Sequence, residues 1–378
     1  MMISYVVPTK DRAAELRATL DALGALGPHD AEVVVVDNAS TPAASTPSTT
    51  SSGLPIRVLR SGTNLGAAAR NVAAKEASGD WLVMLDDDSC PRSLDHVGLL
   101  RRTPADVVAV MADITLPSGR REAGGLPEVF VGCGVAIRRM AFLRAGGYDA
   151  TFSYYAEEYD LAAKFMLAGW RMVFDPAFTV LHRKAPAARS KRLIIERLVR
   201  NNGWVMQRYA PESERRRQLG MTVRRYRAMA NRESAMGGYA RGLVELRRTL
   251  GAQERRAMSP AIWERFTGMA ACREAMQDLW ARSPFRRAAL SGRGKNDWVV
   301  ERVLEELGCV VVPQGDAAEV VVAGTLSPGP MLDAVEGGAK GARVMPSWMP
   351  RGVDGGTFAF RSDDVPGGVG ERNPYPRV

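Results

Sequence analysis

The sequence predicts an α/β fold: a mostly parallel sheet flanked by helices, followed by a helical segment and a small C-terminal α/β unit. Three observations carry this. Short, fully apolar runs alternate with helical stripes over the first 90 residues, three consecutive aspartates close the fourth run, and the composition shifts near residues 185 and 286. Fully apolar strands indicate a sheet covered on both faces, and their alternation with helices indicates parallel pairing.

Ile3 to Val7 is the first strand and ends at Pro8-Thr9. Leu16, Leu20 and Leu23, with Ala13 and Ala22, form a helical stripe that stops near Gly24. Val33 to Val36, entirely β-branched, is the second strand and runs into Asp37-Asn38-Ala39-Ser40. Thr41 to Pro55, rich in Ser, Thr, Pro and Ala, is an exposed loop. Ile56 to Leu59 is the third strand, followed by Asn64-Leu65-Gly66 and an Ala-rich helix from about Ala67 to Ala77. Trp81 to Leu85 is the fourth strand, ending in Asp86-Asp87-Asp88. Ligands of such sheets sit beyond the carboxyl ends of the strands. Thr9, Asp37 and the aspartate trio therefore fall on one rim.

Three carboxylates where a strand leaves the core repel one another and are costly to bury unpaired. A hard divalent cation, Mg²⁺ or Mn²⁺, is an economical counter-ion that keeps positions for a substrate's phosphates. The alternative is an acidic turn capping a helix that starts near Ser89, Pro91 and Ser93.

The motifs, taken in order, resemble those of family 2 glycosyltransferases. They are Val6-Val7-Pro8-Thr9-Lys10-Asp11-Arg12, Val35-Val36-Asp37-Asn38-Ala39-Ser40, Asn64-Leu65-Gly66 with Arg70-Asn71, and Leu85-Asp86-Asp87-Asp88. Downstream come Gly132-Cys133-Gly134 before Arg138-Arg139, Gly146-Gly147-Tyr148-Asp149, Glu157-Glu158-Tyr159-Asp160-Leu161, Ala168-Gly169-Trp170-Arg171 and His182. The resemblance covers residues 1 to about 185 and is nearest the rhamnosyltransferase-like branch. It implies a GT-A fold, inversion at the anomeric centre and a nucleotide-diphosphate sugar donor, a UDP-sugar first and a dTDP- or GDP-sugar otherwise.

The same resemblance assigns roles. Asp88 is the main metal ligand, Asp86 serves metal or ribose, and His182 is the imidazole ligand. Pro8, Thr9, Arg12, Asp37, Asn64, Gly66, Arg70, Asp86 and Asp87 fall at nucleotide-binding positions. Asp37 is also the natural acceptor of an Asx-turn with Asn38 and Ser40. Glu157-Glu158 stands where the family has Glu-Asp, which makes Glu158 the general base. Its extra methylene shifts the reach of that base. Glu157 alternatively caps a helix N-terminus, and Asp160 suits an i,i+4 pair with Lys164. Tyr154 and Tyr155 are candidates for stacking on a sugar, with packing as the alternative.

Composition sets the outer limits. The chain has 378 residues, 46% hydrophobic and 25% charged, enough for two or three domains. The expected division is 1–185 transferase domain, 186–284 Arg-rich helical region and 285–378 small α/β domain with an irregular tail after about Gly352. No run approaches a membrane span and no signal peptide is expected. The four scattered cysteines fit reduced thiols, so the expected location is cytoplasmic. The net charge of +9 concentrates in arginines of residues 183–256. These suit solvated helix faces, or peripheral docking at the inner face of the membrane, where acceptors are lipid-linked. Nucleic acid rests on arginine content alone and is not expected as a partner.

Within the last segment, Ala288–Leu290, Val310–Val312, Glu319–Ala323 and Arg343–Met345 are expected strands, with helices at Val299–Leu307 and Met331–Val335. The loop Ser291-Gly292-Arg293-Gly294-Lys295-Asn296 lacks Walker spacing and is assigned no activity. The unit positions the acceptor or mediates a homodimer. The acceptor is a hydroxyl-bearing glycan, lipid-linked or small molecule. Competing functions are a catalytically silent sugar- or nucleotide-binding scaffold, and a sugar nucleotidyltransferase. The latter needs a Gly-rich loop that Pro8 to Arg12 does not provide.

Overall fold

The structure is a computed structural model that describes residues 1–184, 190–314, 316–338, 343–350 and 352–353. Eight strands of these residues form the large sheet: β1 (Ile3–Thr9), β2 (Ala31–Asp37), β3 (Ile56–Arg60), β4 (Trp81–Met84), β5 (Ser89–Pro91), β6 (Val107–Thr115), β7 (Val135–Arg138) and β8 (Arg171–His182). Their order is β3-β2-β1-β4-β7-β6-β8-β5. The first four pair in parallel, and Thr9 lies opposite Asp37 while Val6 lies opposite Met84. This register brings the ends of β1, β2 and β4 to one rim. Strand β7 runs antiparallel to both neighbours and β5 antiparallel to β8, so the sheet is mixed.

Side chains alternate along a strand, and the valines of β2 show the consequence. Val33 and Val35 enter one core with Leu16, Leu20 and Leu23 of α1 (Ala13–Ala25) and Leu99 of α3 (Asp95–Arg102). Val34 and Val36 enter the opposite core with Ala69 and Ala73 of α2 (Ala69–Glu76). That second core also takes Phe142 of α4 (Arg139–Arg144) and Leu161 and Phe165 of α5 (Glu157–Leu167).

The arginine-rich stretch folds as α6 (Lys191–Tyr209), α7 (Glu212–Arg232), α8 (Met236–Thr249), α9 (Pro260–Thr267) and α10 (Met269–Arg282). Several of its arginines are engaged along the helices: Arg215 with Glu212, Arg217 with Glu214, Arg241 with Glu196 and Arg255 with Glu212. Part of the positive charge is thus spent on neighbouring carboxylates.

The last unit is a parallel sheet of β9 (Arg287–Ser291), β10 (Val310–Val312), β11 (Val320–Ala323) and β12 (Val344–Met345), with α11 (Asp297–Glu306) and α12 (Pro328–Gly337). The short helix expected at Met331–Val335 is longer, because Ser327-Pro328 provides a start signal that precedes it. The tail from 354 lies outside the described residues. The core holding Ala69 and Phe165 continues through Trp204, Phe266, Leu290 and Leu304, so the three stretches of sequence share one apolar interior.

Polar contacts fix the last unit against the segment after β6. Arg121 bridges Asp113 of β6 (3.0 Å) to Asp333 (3.1 Å) and Glu336 (2.7 Å) of α12. The Ser327 hydroxyl donates to the Gly124 carbonyl (2.6 Å) and accepts from the Gly124 N–H (2.9 Å). No helix among the described residues is long and apolar enough to cross a membrane.

Candidate active site

The motifs at the strand ends interlock. Asn38 accepts from the Leu65 N–H (2.7 Å) and donates to the Gly66 carbonyl (3.2 Å). Asn64 accepts from the Gly66 N–H (2.9 Å). Gly66, at φ +63°, faces the Ser153 carbonyl so closely that a Cβ would lie 2.2 Å from that oxygen. The Ala67 N–H donates to the same carbonyl (2.7 Å). Asn64-Leu65-Gly66 therefore supports the loop that leads into Glu157-Glu158.

That loop is strained: Ser153, Tyr155 and Ala156 all have positive φ (62°, 73° and 68°). Such conformations persist only where surroundings over-determine them. The fully buried Asn201 of α6 does so, its amide donating to the carbonyls of Phe152 (3.0 Å), Tyr154 (2.9 Å) and Tyr155 (2.7 Å). Replacing Asn201 by leucine leaves these carbonyls without that donor. The expected loss is about 1–3 kcal/mol of stability, read as a lowered unfolding midpoint, with kcat falling in parallel.

The aspartate trio divides its tasks. Asp87 turns inward and is buried, accepting from the Thr9 hydroxyl (2.8 Å) and paired with Arg12 (3.2 Å). Burial, outweighing Arg12 and Thr9, pushes its carboxyl up to about 6. Asp88 is also buried. One oxygen accepts from Arg12 (2.7 Å) and the other faces Nε2 of His182 (3.3 Å). Burial opposes its ionisation, but His182 and Arg12 together hold it well below the usual carboxylate range. Asp86 is the most open of the three and pairs with Arg70, which also donates to the Leu85 carbonyl (2.8 Å). The trio's repulsion is thus offset by Arg12, Arg70 and His182, so a cation is not needed merely to neutralise it.

His182 ends β8 opposite Ser89 of β5, which sets its ring beside Asp88. Its Nδ1 lies 2.9 Å from Glu122 and 3.6 Å from the Cys133 sulfur. Burial lowers the imidazole, yet Asp88, Cys133 and Glu122 outweigh it and push His182 up to about 12. Asp86, Cys133 and His182 offer ligand atoms within 4.8 Å of one another. The Cys133 thiol, pushed up to about 11 by burial, is a poor ligand beside the carboxylates. A carboxylate on one ring nitrogen with the other turned toward an acidic cluster is the usual outer-shell arrangement of a metal-binding histidine. A divalent cation would take the place of the imidazole proton, after which His182 and the carboxylates form a donor set that fits it.

Across the cleft stand Glu157 and Glu158 at the start of α5. Burial raises Glu158; its own N–H, Arg70, Lys295 and a backbone hydrogen bond from Gly132 oppose that rise. A Cβ at Gly132 would lie 3.1 Å from the Glu158 carboxylate, so a larger residue there would press on that group. Glu157 is buried, and burial followed by the Glu158 charge raises it well above an ordinary glutamate. Its Oε2 has no hydrogen-bond partner among the described residues, so it does not act as an exposed cap. Asp160 makes the pair with Lys164 (2.7 Å) but is also bound by Arg208 (2.8 Å) and the Tyr209 hydroxyl (2.7 Å).

A cavity of about 600 Å³ brings together Arg12, Arg70, Asp86, Asp88, Glu157, Glu158 and His182. Tyr154 and Tyr155 also line it. Pro8, Thr9, Asp37, Asn64, Gly66 and Asp87 are not among its lining residues. Asp37 is buried, its oxygens accepting from the N–H groups of Ser40 (2.8 Å) and Ala44 (3.0 Å), so the Asx-turn is formed. Sequence reasoning missed Glu122, which orients His182, and Lys295, which enters the same cavity from the C-terminal unit. Glu122 has no local signal. Lys295 has a weak one, a lysine between glycine-flanked turn residues in a chain whose cations are mainly arginines.

A mixed sheet with an aspartate trio at the end of β4 and an acidic pair facing it defines a GT-A architecture. Residues 4–145 match the family described as Glycosyl transferase family 2. An uncharacterized glycosyltransferase of Haemophilus influenzae is 41% identical over 204 residues, covering 47% of this chain and 64% of that protein. The N-acetylglucosaminyl-diphospho-decaprenol L-rhamnosyltransferase of Mycobacterium tuberculosis is 36% identical over 78 residues, 18% of this chain and 25% of that one. The chain therefore spans less than two thirds of either relative. Among solved structures, S. aureus TarS 1–349 in complex with UDP-GlcNAc is 16% identical, with a TM-score of 0.48, covering 81% of this chain and 91% of that one.

Proposed function

We propose that this protein is an inverting glycosyltransferase that moves a sugar from a nucleotide-diphosphate donor, a UDP-sugar in the first instance, to a hydroxyl acceptor. The observation that carries it is the facing of Glu158 and the Asp86/Asp88/His182 cluster across one cavity, with Arg70 beside both. Departure of a nucleoside diphosphate builds negative charge on its phosphates. Arg70, nearly buried and with its Nε unpartnered among the described residues, is placed to bind that charge. Asp88, Asp86 and His182 would hold Mn²⁺ or Mg²⁺, which supplies Lewis-acid stabilisation of the leaving group. Glu158 accepts the acceptor hydroxyl's proton as its oxygen attacks the anomeric carbon. Gly132 orients that carboxylate by its backbone hydrogen bond.

In this reading residues 1–185 form the transferase domain, and the segments 186–284 and 285–378 complete its acceptor side. Pro8, Thr9, Arg12, Asp37, Asn64, Gly66 and Asp87 shape the nucleotide half, by framework contacts as much as by touching the ligand. The protein works in the cytoplasm, and arginine faces of α7 and α8 suit peripheral contact with an anionic membrane. The test is release of nucleoside diphosphate from UDP-, dTDP- and GDP-sugars with Mn²⁺ and a glycan acceptor panel. Consumption of one donor class is expected. Consumption of none by folded protein overturns the proposal.

A further inference from the structure

A second cavity of about 300 Å³ adjoins the first, and both are lined by Tyr159, Asn202, Tyr226 and Lys295. It lies between α5, α7, α9 and the loop before α11. Trp263, Phe266 and Trp298 contribute aromatic walls. Two cations, Lys295 and Arg225, border it.

Lys295 is not a loose surface lysine. Its loop is tied to the end of β11 by Gly294 N–H to Gly324 O (2.9 Å) and Leu326 N–H to Lys295 O (2.9 Å). Asn296, at φ +57°, donates to the Thr267 carbonyl at the end of α9 (2.8 Å). The loop thereby sets the Lys295 ammonium 4.0 Å above the Tyr159 ring. No carboxylate among the described residues lies within ion-pair distance of Lys295 or Arg225. Burial, then the charge of Arg225, lowers Lys295 to about 7, with Glu158 acting the other way. Asp297 also lines the cavity, but it is engaged by Arg293 (3.4 Å) and the Trp298 N–H (3.0 Å).

Tyr159 gives an independent pointer. Only 9% exposed, it lines both cavities, and its hydroxyl has no hydrogen-bond partner among the described residues. A buried hydroxyl donor without a partner is costly unless a ligand completes it. Aromatic walls suit the apolar faces of a sugar ring, and two neighbouring cations with no carboxylate in ion-pair contact suit an anion.

We propose that this second cavity is the acceptor subsite and that it takes a saccharide bearing a phosphate or carboxylate group, bound by Lys295 and Arg225 with the Tyr159 hydroxyl. The inference rests on the transferase reading and gives it a substrate class. Lys295 lies beside Glu158, so an acceptor held there presents its hydroxyl toward the base.

The test follows tryptophan fluorescence of the full chain, with UDP and Mn²⁺ saturating so that the donor half is filled. The probes are glucose 6-phosphate, glucuronate, methyl glucoside and inorganic phosphate. The anionic sugars are expected to bind roughly tenfold or more tightly than methyl glucoside. Lys295→Met should abolish that advantage and Lys295→Arg should retain most of it, with both variants melting cooperatively. Equal binding of the neutral sugar, an advantage that survives in Lys295→Met, or phosphate alone matching the sugars would each overturn the inference. Failure of wild-type protein to bind any of UDP, dTDP and GDP with Mn²⁺ would instead bring down the transferase reading itself; if only dTDP or GDP binds, that nucleotide replaces UDP in the test.

Discussion

Glu158→Gln is expected to lower kcat by about 10²–10⁴-fold while leaving nucleotide affinity unchanged. The substitution keeps size and hydrogen-bonding shape but removes the site that accepts the hydroxyl proton. The neighbouring acid provides the contrast. Burial and then the Glu158 charge raise Glu157 well above an ordinary glutamate, which disfavours its carboxylate, whereas Glu158 has Gly132, Arg70 and Lys295 favouring its own. Glu157→Gln should therefore cost much less. A pH profile adds a second readout. The working form of Glu158 is the carboxylate, and burial raises its pKa, so kcat/KM should fall as pH falls through a value above the ordinary glutamate range. Loss of activity in Glu157→Gln with Glu158→Gln unaffected would move the base by one residue.

Asp88→Asn is expected to abolish the Mn²⁺-dependent part of nucleotide binding and to reduce turnover at least about a hundredfold, the scale of a lost Lewis acid. The same change removes the negative partner of His182 and Arg12, so the imidazole should titrate nearer its ordinary range. Asp87→Asn makes the informative control, because Asp87 is turned to Thr9 and Arg12 rather than into the cavity. It should affect stability and leave the metal dependence in place. The reverse pattern, with Asp87 governing the metal response, would contradict the assignment.

The strand-and-helix order was legible because it rests on local pattern. The valines of β2 carry their own two-sided burial, and Asp37 and the aspartate trio are at strand ends wherever those strands pair. The antiparallel β7 was not legible, since four residues between a glycine-rich stretch and a helix carry no direction. The counter-ions were hidden for a different reason. Arg12 meets Asp88 across 76 residues of chain, and Glu122 meets His182 across 60. Such contacts depend on sheet order, which no spacing in the sequence encodes. Lys295 is the extreme case, reaching Tyr159 from the other end of the molecule through a loop that sequence reasoning assigned no activity.

The central claim is tested most directly by calorimetric titration of UDP, dTDP and GDP into the intact chain, each with and without Mn²⁺. The account predicts that one nucleotide, UDP first, binds tightly only with the metal present. Absence of binding by all three under both conditions, in protein that melts cooperatively, would contradict it and leave the silent-scaffold reading in its place.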